Sequence, residues 1–123
     1  MRHSSLKSFL NGERPADEFW REIEGEVEDC LAACAKGGSG HVIITDGPET
    51  QVAREQVSVL LTSLAEARLP LKAASYIADA LIMSDDFGWE DDAVAEALFL
   101  LSDESRPLAL AEIEEARSRL ASA

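Results

Sequence analysis

No run of apolar residues in this 123-residue chain approaches the roughly 18 that a membrane-spanning helix needs. The opening stretch, Met1 to Arg14, has no apolar core and no small-residue cleavage pattern, so a signal peptide is not expected. Basic residues are scarce: 11 Lys and Arg stand against 24 Asp and Glu, a formal net charge of −13. A surface of that sign repels phosphate, so neither nucleic acid nor an anionic membrane is an expected partner. Cysteine is nearly absent. Cys30 and Cys34 are four residues apart, which puts them on one helix face, but a pair inside a regular helix rarely reaches disulfide geometry. Both are expected to pack as small buried apolar side chains, in a cytoplasmic protein.

The residues that mark common active sites are also missing. His3 is expected in a frayed terminus and His41 in a glycine-rich connector, and neither has a second histidine four residues away, which excludes a His-Glu-x-x-His helix. Gly37-Gly38-Ser39-Gly40 has no lysine where a phosphate loop requires one, and His41 stands where a nucleophile elbow needs its last glycine. A zinc site from Cys30, Cys34 and His41 would need Asp46 as its fourth ligand. A Cys-x3-Cys pair inside an amphipathic helix is not the usual arrangement for structural zinc. No metal or other cofactor is expected, and no catalytic residue can be named.

What the chain does have is helical periodicity and 46% hydrophobic residues. Pro15, Pro48, Pro70 and Pro107 each stand at the threshold of a periodic segment, where a missing N–H is tolerated. A first helix is expected from about Ser5 to Asn11, stopped by Gly12, and a long second one from about Pro15 to Lys36. Its stripe is Phe19, Trp20, Ile23, Val27, Leu31 and Cys34. A third runs from Pro48 to Arg68, opened by Asp46 and Glu49, with Ala53, Val57, Leu60, Leu61 and Leu64 inward. A fourth, from Pro70 or Leu71 to Met83, buries Ala74, Ile77, Ala78, Leu81 and Ile82. The fifth starts near Glu90 and buries Val94, Ala97, Leu98 and Leu101. The last, from Leu108 to Leu120, buries Leu110, Ile113 and Leu120. Val42, Ile43 and Ile44 suggest an extended connector or a tiny two-stranded patch near 41–45. The whole of 1–123 reads as one all-α domain, a compact bundle of five to six helices. Ala78-Asp79-Ala80-Leu81 echoes Ala95-Glu96-Ala97-Leu98, but these are common helix formers and do not establish a repeat.

Charge is distributed unevenly. Between residues 73 and 105 there are nine Asp and Glu and no Lys or Arg. The segment Asp85 to Asp92 does not follow the calcium-loop order of an EF-hand, since Phe87 falls at its third position and the glycine is misplaced. It reads as a helix–helix turn whose acids feed the next helix start. Asp79, Asp85, Asp86, Glu90, Asp91, Asp92 and Glu96 would then concentrate negative field at one end of the bundle. Phe87 and Trp89 among them are candidate anchors for a partner, with core plugs as the alternative.

Ser75-Tyr76-Ile77-Ala78-Asp79-Ala80-Leu81, Asp86-Phe87, Leu101-Ser102-Asp103 and Pro107-Leu108 together resemble the layout of small bacterial immunity proteins, over roughly the C-terminal 50 residues. The resemblance implies a helical, acidic, cytoplasmic protein that binds and occludes a basic toxin domain without catalysing anything. The expected site is Asp79, Asp85, Asp86, Phe87, Trp89, Glu90, Asp91, Asp92 and Glu96, facing a basic protein. A helical scaffold or homo-oligomer, using Phe99 and Leu100 beside the fifth stripe, is the alternative. A small-ligand or metal-dependent protein ranks below both.

Overall fold

The computed structural model describes residues 1–35, 44, 49–84, 87–102 and 108–121. Their elements, in chain order, are α1 (His3–Leu10), α2 (Ala16–Ala35), β1 (Thr50–Val52), α3 (Arg54–Ala65), α4 (Leu71–Met83), β2 (Phe87–Trp89), α5 (Asp92–Ser102) and α6 (Leu110–Ala121). The class is all-α, with one two-stranded patch. The Val42–Ile43 part of the expected connector lies outside the described residues, while Ile44 lies partly buried against the core.

Helix α4 is the centre of the bundle. Every residue from Ala73 to Ala78 is buried, so the helix is enclosed nearly all round, as a core helix should be. Its small side chains let neighbours approach closely, and its most extensive packing is against α5. There the buried Ser75 hydroxyl donates to the Leu101 carbonyl at 2.7 Å, at the C-terminal turn of α5. Phe19 and Phe9 stack with ring centroids 4.9 Å apart and fasten α2 to α1. Phe19, Ile23 and Val27 are fully enclosed, which confirms the first part of the α2 stripe. Leu31 departs from it at 38% exposure, and Trp20 is half-buried with Lys72 5.8 Å over its ring. Cys30 is half-buried against the core edge, and the Cys34 side chain lies outside the described residues.

The third helix differs most from expectation. It begins at Arg54, because Thr50–Val52 is extended and pairs in parallel with Phe87–Trp89, in the register Thr50↔Phe87, Gln51↔Gly88 and Val52↔Trp89. Glu49 therefore precedes a strand and opens no helix, and Asp46 lies outside the described residues. At its other end α3 stops at Ala65, three residues short of Arg68. The chain turns there through Ala67 at φ 57°, with Ala67 N–H donating to Leu64 O and Arg68 N–H to Ser63 O. Gly12 does the same after α1 at φ 78°, as its sequence position suggests. Other burial expectations change as well. His3 belongs to α1 and is buried rather than frayed, Leu110, at the start of α6, is 60% exposed, and Ala53, Leu64 and Ile82 are half-buried.

A candidate acidic docking surface on α4, β2 and α5

Seven of the nine expected site residues are described, on α4, on β2, on α5 and at the two positions between β2 and α5, and they play different parts. Phe87 opens β2 and is buried at 6% exposure, its ring stacked on His3 with centroids 5.0 Å apart. The His3 ring lies 3.5 Å from the Thr50 hydroxyl, so α1 is held to both strands at this point. Phe87 is thus a core plug, which removes it from the surface a partner could touch. Trp89, two residues on, is half-buried and packs on the same core.

Glu90 and Asp91 serve the backbone. The Glu90 N–H continues the ladder by donating to the Val52 carbonyl at 3.0 Å, and its carboxylate accepts the Arg54 N–H at 3.3 Å. That bond matters because α3 follows Ala53, whose side chain has no acceptor. Further side-chain help there comes from Gln56, which accepts the Ala53 N–H at 2.8 Å. Asp91 is the N-cap of α5: one carboxylate oxygen accepts the Val94 N–H at 3.1 Å, and the other accepts from Arg54 Nε at 2.7 Å. Chiefly through the Arg54 hydrogen bond, and then through the Val94 N–H, its carboxyl is held below the ordinary aspartate range.

Asp92 and Glu96 remain as the exposed carboxylates of α5, one helical turn apart on the same side. Neither has an ion pair among the described residues. Like charges at this spacing destabilise a helix by a few tenths of a kcal/mol, roughly 0.2–0.5, although Asp92 gains from its place in the first turn. Asp79 is half-buried on α4 and carries contacts of its own. Asp85 and Asp86 lie outside the described residues, as do Asp103 and Glu104.

Sequence reasoning missed Arg54, which joins three elements: besides Asp91 and Glu90 it reaches the Leu120 carbonyl of α6 at 3.4 Å. One signal was available. A cation in the first turn of a helix opposes the macrodipole, which suggests a carboxylate brought from elsewhere in the chain. Also missed was a groove of about 440 Å³ between α5 and α6, floored by Ala97, Leu100 and Ala116, with Phe99, Glu96 and Arg119 around it. It exists because α6 packs more extensively on α3 than on α5, and alanine side chains are too short to fill the gap. Phe99 is 54% exposed at this groove.

A second groove, about 430 Å³, runs along α3 between Ser58, Thr62, Glu66 and Arg68, and Arg68 bonds Asp17 at 3.2 Å. Among the described residues no three His, Cys, Asp or Glu side chains converge. Every buried side-chain polar atom described has a hydrogen-bond partner. None of the helices described is long and apolar enough to cross a membrane. Comparison of the chain with known protein families, with curated proteins and with solved structures finds no match.

Proposed function

We propose that this chain is a non-enzymatic interaction module whose acidic α4–β2–α5 flank binds a basic protein, as an immunity-type inhibitor that occludes a toxin domain. The observation that carries the reading is the pair of exposed carboxylates Asp92 and Glu96. They stand unpaired among the described residues, in a stretch from 73 to 105 that has no basic residue of its own. Some carboxylates elsewhere on the surface pair with cations: Asp17 with Arg68, Glu22 with Arg14, Glu28 with Lys72 and Glu115 with Arg119. Others, such as Glu18, Glu24, Asp29 and Glu55, have no ion pair among the described residues. Asp92 and Glu96 differ from these in lying where the sequence supplies no basic residue from 73 to 105. A cationic partner supplies what the α5 face lacks, and relieves its self-repulsion. The resemblance of residues 75–108 to small immunity proteins supports the same reading. Of the expected site, Glu90 contributes charge while it also bonds Arg54, and Asp91 and Phe87 hold the fold.

The test is retention from a lysate of the source organism on the immobilised protein, eluted with salt, beside an Asp92→Lys/Glu96→Lys variant. Asp91 is left intact because it caps α5. The expected result is one basic protein held by the parent, released at moderate salt as the charges are screened over about 8 Å, and lost from the variant. Equal retention by both chains sinks the reading, and so does an empty column at low salt.

A further inference from the structure

The groove between α5 and α6 is contiguous with the acidic flank through Glu96, which belongs to both. Its floor is apolar, and Phe99 leaves about half of its ring surface in solvent beside it. An exposed aromatic next to a trough lined with small side chains is the geometry of an anchor-and-pocket contact. The charges around it select the occupant. Glu96 and, a turn earlier, Asp92 have no ion pair among the described residues, while the Arg119 guanidinium is engaged by Glu115 at 2.7 Å. Counting Glu115 beside Arg119, the groove's neighbourhood carries three carboxylates against one guanidinium and is acidic on balance. A second copy of this chain would bring its own charge of −13 against it, which disfavours self-association at this face.

We propose that the groove takes an amphipathic cationic segment: an aliphatic side chain over Ala97 and Ala116 against Phe99, with flanking Lys or Arg on Glu96 and Asp92. This rests on the reading of the chain as a binder of basic proteins, and it adds an apolar requirement to it. Charge brings the partner in, and the groove selects among cationic partners by what they carry between their charges.

The experiment uses three labelled synthetic peptides of equal length and measures fluorescence anisotropy at low and moderate salt. One is an amphipathic Lys/Leu helix, one an oligolysine without leucine, and one a Gln/Leu helix without charge. Each is titrated with the parent chain, with Phe99→Ser, with Leu110→Ser and with Asp92→Lys/Glu96→Lys. Phe99 and Leu110 are both exposed, but only Phe99 lines the groove. The expected result is that the Lys/Leu peptide binds the parent about tenfold tighter than oligolysine, the scale of one well-placed aromatic contact. Phe99→Ser removes that margin, and Leu110→Ser keeps it. If the two cationic peptides bind alike and only the charge reversal weakens them, the groove proposal fails and the acidic-surface reading stands. If neither binds at low salt, the acidic-surface reading fails and the groove proposal goes with it. Equal binding of the Gln/Leu peptide overturns the cationic occupant. So does a dimer of the parent chain in sedimentation equilibrium that Phe99→Ser abolishes.

Discussion

Arg54 and Asp91 bind the starts of two helices to each other: Arg54 Nε, in the first turn of α3, donates to Asp91 Oδ2 at 2.7 Å, while Asp91 Oδ1 caps α5 through the Val94 N–H. One carboxylate thus does two separable jobs. Asparagine is a good N-cap but carries no charge, so Asp91→Asn should keep the cap and lose the ion pair, whereas Asp91→Ala loses both. Thermal unfolding followed by circular dichroism should place the melting temperatures in the order parent, Asn, Ala. Coincident Asn and Ala melts would mean that the cap contributes nothing.

The same carboxylate contributes to the acid sensitivity of the fold. Asp91, chiefly through Arg54, and Asp17, chiefly through its own backbone N–H with help from Arg68, both hold their protons less tightly than an ordinary aspartate. On acidification the unfolded chain takes up these two protons first. The stability they contribute is therefore complete at neutral pH, and it is lost as the pH falls from about 3.9 through the lowered native values. Neutralising the excess negative charge relieves self-repulsion on the way down, so the loss should appear late and then steepen. Melting temperatures measured from pH 7 to pH 2 should show this, and Asp91→Asn should flatten part of the acid limb. An unchanged limb in that variant would remove Asp91 from the account.

Gly12 and Ala67 occupy the same left-handed position after their helices, at φ 78° and φ 57°. For a residue with a side chain that conformation costs roughly 1–2 kcal/mol, and only glycine escapes it. Ala67→Gly should therefore stabilise the protein by about 1 kcal/mol, after the extra entropy of glycine in the unfolded chain is allowed for. Gly12→Ala should destabilise it by about as much. A Cβ on Gly12 would meet nothing within 4 Å, so the backbone alone sets that cost. Urea unfolding of the two variants, read as opposite shifts of the midpoint, checks both.

Where neighbours in sequence decide the structure, the residues announce it. The spacing of Phe19, Ile23 and Val27 marks the buried side of α2, Gly12 marks the end of α1, and the acids after Trp89 mark the start of α5. What could not be read depends on groups that meet only after folding. Thr50–Val52 looks like the entry to a helix until Phe87–Trp89 is laid beside it, since a three-residue strand has no periodicity to detect. Ala67 takes a glycine's role without being one. The charge asymmetry of 73–105 is plain in the sequence, but its division into carboxylates that hold helices and carboxylates that face solvent follows from where Arg54 arrives. The groove beside Phe99 depends on α6 leaning toward α3, which the stripe of Ile113, Ala116 and Leu120 does not reveal.

The parallel pairing of Thr50–Val52 with Phe87–Trp89 encloses α3 and α4 within one loop of chain. Closing that loop costs entropy before the short ladder returns anything, whereas the contiguous α4–β2–α5 segment can collapse on itself early. The ladder should accordingly form after the folding transition state. Substitutions at Val52 or Trp89 would then leave the refolding arm of a chevron nearly unchanged and lift its unfolding arm. Such a bridge governs how long the native protein persists more than how quickly it is reached.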